Sequence, residues 1–317
     1  GVFYAKDAFE GLEIMNILTH KEKRPVFYEK ILKEAEEEIA AKKAADEKKT
    51  SAIPIPRSKI IPQKKIPKAA FWGTRVLERI DLNEVFPLMD FNSLFRLSWG
   101  VTTRDIEEYK KLLEEKFKPL LADLQKETIR EKYFLPKVLY GFYPCQSEGN
   151  AIHIYDPLDT KKKLTTFDFP RQPDSGNLCL ADYVNSVDSG IMDQIAFHLV
   201  TLGERISEVC DELNKKSDYS KSYYLHGLSV ETTEGLASWI HQKIRQAWGL
   251  KEDEGKRYSF GYPACPNLED QGKLFSFLKP EEKIGVTLTS AFQMIPEQST
   301  SALIFHHPGA TYYNVKK

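Results

Sequence analysis

The sequence predicts an α+β fold, in which helices surround a twisted and mainly antiparallel sheet. Segments with strand-like alternation of apolar and polar residues cluster between helical segments, and no regular strand–helix–strand repeat connects them. A parallel sheet would need such repeats, because parallel strands require long crossover connections. We therefore predict an antiparallel sheet, preceded by a helical and proline-rich linker.

The first seventy residues differ in composition from the rest of the chain. Residues 1–24 have a partly helical spacing of apolar side chains, and we interpret them as the last helix of a preceding domain. Residues 25–49 are highly charged with a thin apolar stripe, which is typical of a solvated connecting helix. Residues 50–70 contain four prolines, which disfavour helix and central strand alike. We therefore predict a linker over 25–70 that ends in an extended strap.

From residue 71 onward the composition is that of a compact domain. Residues 102–128 predict a long amphipathic helix that begins at Thr103 or Asp105, since both are good capping residues. A second helix is predicted over 229–249 and ends at Gly249. Strands are predicted at 137–146 and 151–156 as a hairpin, within 185–203 after a turn, and at 286–295 and 301–307.

Composition excludes several classes of function. The net charge of −1 does not favour a nucleic-acid surface, and no apolar run is long enough to span a bilayer. The four cysteines lie far apart, which favours reduced thiols in a cytoplasmic protein. His306 and His307 are adjacent in a predicted strand and would point to opposite faces, so we expect no metal site there. No glycine-rich phosphate loop and no hydrolase motif is present.

One segment carries unusual chemistry, RYSFGYPACP at 257–266. Arg257 is a planar donor suited to a carboxylate or phosphate, and Gly261 permits a backbone conformation that other residues avoid. Tyr258, Phe260 and Tyr262 can supply apolar walls or a π-face for a positive centre. The segment therefore suits a ligand with a carboxylate and a flat ring. A rigid loop that packs its aromatic side chains into the core is the alternative.

Arg257 followed by GYPACP resembles the RxxxGYPACP signature of a known family, the C-terminal S-adenosylmethionine-binding reactivation domain of cobalamin-dependent methionine synthase. Residues 2–16 are similar to the last helix of the preceding cobalamin-binding domain in that family. The resemblance covers roughly all of 71–317 in collinear order. Further similar segments lie at 71–95, 178–184, 236–245, 288–308 and 310–315.

This resemblance implies a C-shaped α+β domain over 71–317 and a task in a methyltransferase. The domain would bind S-adenosylmethionine and cap the cobalamin domain of the same polypeptide. A flavodoxin-type or other electron donor and the sulfonium methyl group would together convert cob(II)alamin to methylcobalamin. No general base would be required, because reduced cobalamin is itself the nucleophile, and catalysis would consist of positioning.

The resemblance also implies a set of binding residues. Arg257 would bind the carboxylate of S-adenosylmethionine, and Asp90 and Glu234 would bind its amino group. The segment Gln293–Ser299 resembles the loop that faces the corrin ring. The remaining contacts would come from Tyr258, Ser259, Phe260, Gly261, Tyr262, Tyr312 and Tyr313.

Alternatives remain open for several of these residues. Asp90 could cap a helix that begins near Asn92, and Glu234 could be a solvated helix residue. Tyr312 and Tyr313 alternate along an extended segment, so at most one of them is expected to contact the ligand. His241 and Cys265 are interpreted as structural.

The sequence also departs from the family pattern. Val230 stands one turn before Glu234, where better-known relatives carry an acid that contacts the displaced lower-ligand histidine, and Glu231 points elsewhere on the helix. No segment resembles the homocysteine or folate barrels, so this chain alone is not expected to make methionine. A docking scaffold for the cobalamin domain and its reductase, without ligand binding, is the alternative function.

Overall fold

The computed structural model describes residues 8–50, 55–103 and 105–312, with side chains described for 11–37, 55–103, 105–173 and 175–312. The chain divides into two compact units, Gly1–Ile55 and Pro56–Lys317. Each unit has its own helices, and the sheets lie in the second unit.

The first unit is a pair of helices. Helix α1 spans Ala8–Thr19, and helix α2 spans Lys23–Thr50, which confirms the predicted helix over 25–49. The carbonyl of His20 accepts hydrogen bonds from the backbone amides of Lys23 and Arg24 at 3.2 and 3.1 Å, and this turn joins the two helices. Within the described parts of the chain, no helix is both long and apolar enough to cross a membrane.

The second unit contains nine strands and seven α-helices among its described residues. The strands are β1 Gly73–Leu77, β2 Lys137–Glu148, β3 Ala151–Asp156, β4 Asp159–Asp168, β5 Asp193–Thr201, β6 Lys256–Ser259, β7 Thr287–Leu288, β8 Met294–Ile295 and β9 Ser299–Phe305. The helices are α3 Leu82–Val85, α4 Ile106–Leu112, α5 Lys118–Glu131, α6 Arg205–Lys215, α7 Tyr219–Trp248, α8 Asp270–Leu278 and α9 Pro280–Ile284. Two π-helical segments occur at Ser93–Ser98 and Leu113–Phe117.

The main sheet is antiparallel throughout, as predicted. Its strand order is β4-β3-β2-β5-β9-β6, and β1 pairs with β2 beside β3. Strand β2 is long enough to hold both neighbours on one edge, because β1 pairs with residues 138–142 and β3 with residues 145–148. The remaining strands, β7 and β8, form a separate two-stranded hairpin.

Both faces of the main sheet are buried at its centre, whereas much of the edge strand β4 is exposed. On β5, Ala196 and Val200 face the core that contains α7, whereas Phe197 and Leu199 face the core that contains α8. Successive strand residues point to opposite faces, so a strand covered on both sides must be apolar or internally satisfied at nearly every position. All nine residues of β5 are accordingly buried.

The predicted helix over 102–128 is interrupted. Helix α4 is capped by Asp105, whose side chain accepts hydrogen bonds from the amides of Glu107 and Glu108 at 2.9 Å, and a π-helical segment then separates it from α5. Pro119 lacks an amide hydrogen and cannot continue the bonding of the preceding turn, so the helix is re-registered there.

Two other predicted elements have different bounds. Helix α7 begins at Tyr219, before the predicted start at 229, because the side chain of Asp218 caps it. It ends at Gly249, as predicted, and that residue has φ +68°. The strand predicted over 286–295 is instead the β7–β8 hairpin. Its turn is closed by the amide of Thr289, which donates to the carbonyl of Gln293 at 2.8 Å.

The proline-rich strap is anchored to the second unit by a buried carboxylate. Arg171 donates to Asp182 through Nη1 at 2.6 Å and Nη2 at 3.1 Å. From the strap, Arg57 Nε donates to the same carboxylate at 3.1 Å and Ser58 Oγ at 2.7 Å. Burial of Asp182 opposes its charge, but the hydrogen bonds and positive charge of Arg171, with Ser58 and Arg57, outweigh this and lower its pKa.

The histidine pair forms a second anchor for the strap. His306 Nε2 lies 2.7 Å from Oδ1 of Asp193, and its Nδ1 lies 3.2 Å from Oε1 of Gln63. His307 Nε2 donates to the carbonyl of Ile61 at 3.0 Å. Burial of Asp193 disfavours its charge, but His306 and two backbone amides outweigh that effect and lower its pKa. The two histidines therefore bind different residues of the strap.

We expect Asp182→Asn to destabilise the second unit by about 3–5 kcal/mol, because it removes the buried carboxylate that accepts hydrogen bonds from Arg171, Arg57 and Ser58. Arg57→Gln is the matched control, and it should cost less than about 1 kcal/mol because that side chain is half exposed. Urea unfolding followed by tryptophan fluorescence measures both, since all four tryptophans lie in the second unit. Equal losses in the two variants would show that Asp182 is not the main anchor.

The lowered pKa values of Asp182 and Asp193 also predict a pH dependence. Each carboxylate contributes stability that is fully present above its ordinary pKa of 3.8 and is lost as the pH falls through the lower folded-state value. The free energy of unfolding should therefore decrease as the pH is lowered from about 5 toward 3. The decrease should be shallower in Asp182→Asn, and an identical pH profile for that variant would contradict the assignment.

Candidate functional site

A pocket of about 360 Å³ opens between β6, the turn that follows it, helix α7 and the C-terminal end of the described chain. Six of the ten residues predicted to bind a ligand meet in this pocket. The lining residues are Glu234, Arg257, Tyr258, Ser259, Tyr262, Pro263, Ala264 and Tyr312.

Strand β6 places Arg257 against helix α7. Arg257 pairs with Ile304 of β9, which faces the α7 core, so the two side chains point to the same face of the sheet. Arg257 Nη2 donates to Glu234 Oε2 at 2.9 Å and lies 3.5 Å from Ser238 Oγ. The other terminal nitrogen of the guanidinium, Nη1, is buried and has no hydrogen-bond partner among the described residues. The ion pair with Glu234 therefore uses only part of the guanidinium.

The turn after β6 is held rigidly. Gly261 has φ +86°, a conformation that favours glycine, and its amide donates to the carbonyl of Cys265 at 2.9 Å. The amide of Cys265 donates back to the carbonyl of Tyr262 at 2.9 Å, which closes a turn around Pro263 and Ala264. Burial raises the pKa of Cys265 to about 12, so its thiol stays protonated and packed, as the sequence indicated.

The aromatic residues of the segment divide between core and pocket. Phe260 is buried and packs against Phe167 with 5.7 Å between ring centroids. Tyr258 is also buried, and its hydroxyl donates to the carbonyl of Thr311 at 2.8 Å. Tyr262 and Tyr312 are exposed by 64% and 61% and present their rings to the pocket. Phe260 therefore follows the core interpretation and Tyr262 the pocket interpretation, whereas buried Tyr258 packs in the core and also lines the pocket.

Asp90 has a capping role in the structure. Its Oδ1 accepts hydrogen bonds from the amides of Asn92 and Ser93 at 2.9 and 3.1 Å, and its Oδ2 accepts one from Ser93 Oγ at 2.9 Å. The hydrogen bonds from Ser93 and Asn92 lower the pKa of Asp90. This is the alternative that the sequence left open for Asp90.

Three other predicted binding residues do not line this pocket, and a fourth cannot be placed. Asp90, Phe260 and Gly261 are not among the residues that line the pocket beside Arg257. Tyr313 lies outside the described residues. Of the two adjacent tyrosines, the structure therefore describes Tyr312 only.

Acidic side chains also gather around Glu234, near the middle of α7. Glu231 is buried and accepts a hydrogen bond from Ser98 Oγ at 3.1 Å, so it points away from the pocket lining. Burial raises the pKa of Glu231, and the negative charges of Asp90 and Glu234 raise it further. Val230 is partly exposed and brings no charge. The carboxyl groups of Glu231 and Glu234 on α7 therefore favour a positively charged ligand group.

A second groove of about 590 Å³ adjoins the first and shares Ser259 and Tyr262 with it. It is also lined by most of the segment Gln293–Ser299, the loop for which the sequence suggested contact with a corrin ring. Buried Gln271 supports that loop, because its Nε2 donates to the carbonyl of Phe292 at 2.8 Å. Ser259 and Tyr262 thus form the wall between two neighbouring grooves.

Sequence reasoning missed three residues at the pocket. Ser238 lies one helical turn after Glu234, so helical spacing could have identified it. Pro263 and Ala264 belong to the GYPACP signature but were assigned no binding role, yet they form part of the lining. Within the described residues, no group of three or more histidine, cysteine, aspartate or glutamate side chains could hold a metal ion.

Comparisons with known proteins agree on one family. The family model described as vitamin B12 dependent methionine synthase, activation domain, matches residues 81–317. Methionine synthase of Mycobacterium tuberculosis is 34% identical over 355 aligned positions, which cover 99% of this chain and 30% of that protein. Methionine synthase of Mycobacterium leprae is 30% identical over 360 positions, with 99% and 30% covered. The chain thus spans about 30% of the length of these relatives.

A solved structure is also similar to this chain. It is described as the crystal structure of the MetH reactivation domain bound to AdoHcy, and it aligns with a TM-score of 0.70 and 25% sequence identity. The alignment covers 79% of this chain and 83% of the solved one.

The capping geometry of Asp90 leads to a stability prediction. Asp90→Ala should lower the free energy of unfolding by about 0.5–2 kcal/mol, because two backbone amides lose their acceptor. Asp90→Ser should cost much less, since serine is itself a good cap. Urea unfolding of the two variants measures the difference, and equal losses would mean that the cap is not what Asp90 contributes.

Proposed function

The chain belongs to the family of vitamin B12-dependent methionine synthase activation domains, and from this premise we propose that it binds S-adenosylmethionine in the pocket beside Arg257. The bound ligand would serve as methyl donor for the reactivation of cobalamin held by a neighbouring domain. The observation that carries the proposal is the Arg257–Glu234 ion pair, which lines the pocket together with the exposed rings of Tyr262 and Tyr312.

The charges of this pair match the amino-acid end of the ligand. The guanidinium of Arg257 suits a carboxylate through charge-assisted hydrogen bonds, and the carboxylate of Glu234 suits an ammonium group. A zwitterion can insert between the two side chains and replace their mutual contact of 2.9 Å without leaving either charge unpaired. Asp90 could add a second acceptor for the ammonium, since a carboxylate that caps a helix keeps free lone pairs.

The remainder of the pocket suits the rest of the ligand. The rings of Tyr262 and Tyr312 offer faces for the adenine or for the positive sulfonium. The carboxyl groups of Glu231 and Glu234 on α7 would further favour a cation. The similar solved structure contains AdoHcy, which has the same adenosyl and amino-acid parts as S-adenosylmethionine. These features together support a ligand of this chemical class.

The second groove would receive the corrin ring of a cobalamin held by the neighbouring domain. We assign residues 1–24 to the end of a preceding cobalamin-binding domain, 25–70 to a linker and 71–317 to the reactivation domain. Residues 56–70 of that linker belong to the second compact unit. The loop Gln293–Ser299 lines the second groove, directly beside the proposed ligand pocket. A corrin ring seated there would lie across the wall formed by Ser259 and Tyr262.

This chain's own residues would orient the methyl donor and exclude water, and no acid or base is needed among them. When bound, a cobalamin reduced by a flavodoxin-type or other electron donor would supply the nucleophile for the sulfonium methyl group, and the thioether would be the leaving group. Arg257 and Glu234 would fix the amino-acid end of the donor, so that the methyl group points toward the second groove. The proposal includes a cytoplasmic location, which four free thiols favour.

Calorimetric titration of S-adenosylmethionine into this chain tests the proposal. We expect one-to-one binding, and we expect Arg257→Ala to weaken it at least about tenfold, because loss of a charge-assisted hydrogen bond costs roughly 1.5–3 kcal/mol. Arg205→Ala is the matched control, since Arg205 lies on α6 and binds only Glu208 and Glu212 among described partners. That variant should bind like the wild type.

The outcomes separate the two functions that the sequence allowed. Saturable binding that depends on Arg257 supports the reactivation domain. A folded chain that shows no binding, alone or with the cobalamin domain added, contradicts the proposal and supports a docking scaffold. Equal loss of binding in Arg205→Ala would place the ligand elsewhere.

A further inference from the structure

Behind Arg257, on the side away from the pocket, lies a buried cluster of nitrogen atoms. It consists of the guanidinium Nη1 of Arg257 on β6, the imidazole of His198 on β5 and the imidazole of His241 on α7. His198 is fully buried and His241 is 7% exposed. The three residues come from different elements, so only the tertiary fold assembles them.

Strand register and helix spacing place these residues on one interface. His198 pairs with Ala302 of β9 and Arg257 pairs with Ile304, two residues further along, so both side chains face α7. On α7, Glu234 and Ser238 both contact Arg257, and His241 follows them on the same helical face. The positive charge of Arg257 also lowers the pKa of both imidazoles, after the larger effect of burial.

The polar atoms of this cluster have no partners among the described residues. They are Nη1 of Arg257, both ring nitrogens of His198 and Nε2 of His241. Buried polar atoms in proteins are nearly always hydrogen-bonded, to protein atoms or to an internal water. Four such atoms at one interface therefore indicate a shared polar site and not four independent defects.

Both imidazoles are neutral in this environment. Burial lowers the pKa of His241 to about 3, with further lowering by the positive charges of Arg245, Arg257 and Lys256. Burial and the charge of Arg257 likewise place the pKa of His198 well below its ordinary value. A neutral imidazole has one nitrogen that accepts a hydrogen bond, so each histidine offers an acceptor on the inner side of the guanidinium.

We propose that His198 and His241 are positioning residues that hold the inner half of the Arg257 guanidinium through one shared buried water molecule. The water would accept a hydrogen bond from Nη1 of Arg257 and donate one to each imidazole, so that each of the three groups gains a partner. The outer half of the guanidinium would then be fixed toward the carboxylate of the ligand. This inference rests on the proposed function, and it assigns His241 a role beyond the structural one suggested by the sequence.

A purely structural role predicts a different outcome. A buried histidine without partners can be replaced by leucine at little cost or with a gain in stability, because no hydrogen bond is lost. If His198 and His241 only filled space, their replacement would leave ligand affinity unchanged. If they position Arg257, affinity falls, and it falls only for ligands that carry the carboxylate.

The test is a double-mutant cycle by calorimetry with S-adenosylhomocysteine, which has the carboxylate, and with 5′-methylthioadenosine, which lacks it. We expect His198→Leu and His241→Leu each to weaken S-adenosylhomocysteine roughly three- to tenfold, a coupling usual for residues in one hydrogen-bond network. In an Arg257→Ala background the same replacements should change affinity less than about twofold. Their effect on 5′-methylthioadenosine should be equally small.

Controls keep the result interpretable. His153→Leu removes another buried histidine, one that binds Thr166 and Glu148 on a distant strand, and it should not affect either ligand. His198→Gln retains a polar group and should recover part of the affinity, and thermal unfolding verifies that each variant is folded. Equal losses of affinity in the wild-type and Arg257→Ala backgrounds would overturn the inference. Equal losses for the two ligands would overturn it as well. Failure of the wild type to bind S-adenosylhomocysteine would overturn the proposed function and with it this inference.

Discussion

The pairing of β6 with β9 determines where the guanidinium of Arg257 lies, and the candidate site is built around that one group. The ladder turns Arg257 toward α7 and Tyr258 toward the opposite core. A guanidinium cannot lose its charge inside a protein, so the surrounding elements must compensate it. Glu234 compensates it on the pocket side, and His198 and His241 offer neutral acceptors on the buried side. The same charge thus organises the pocket and the polar interface behind it.

A second buried charge ties the strap to the domain. Asp182 accepts hydrogen bonds from Arg171 within the domain and from Arg57 and Ser58 of the strap, while the adjacent histidines bind Gln63 and Ile61. Separating the strap from the domain would remove hydrogen bonds from buried polar groups, and this loss costs free energy. Residues 57–63 of the proline-rich segment are therefore part of the fold of the second unit.

The two grooves are functionally informative because they share a wall. The proposed methyl transfer would require the donor and the nucleophile to meet along one line, and the shared residues Ser259 and Tyr262 place the two candidate sites side by side. The turn between Gly261 and Cys265 gives that wall its rigidity, since two backbone hydrogen bonds close it. The signature around residues 261–266 can thus be understood as a requirement for backbone shape as much as for side-chain chemistry.

Local sequence was sufficient for the α+β class, the antiparallel hairpin of β2 and β3 and the end of α7 at Gly249, because periodicity and caps act over a few residues. The binding role that the family signature implies for Arg257 stays a prediction, and the structure places that residue at a pocket. It was insufficient for the break at Pro119 and the short β7–β8 hairpin, where turns and packing override alternation. Asp90 as a helix cap and the division of the aromatic rings between core and pocket were left as alternatives that packing decided. His198 carried no sequence signal at all. Its proximity to Arg257 and His241 depends on strand register and on the helix packed above the sheet, which only the tertiary structure brings together.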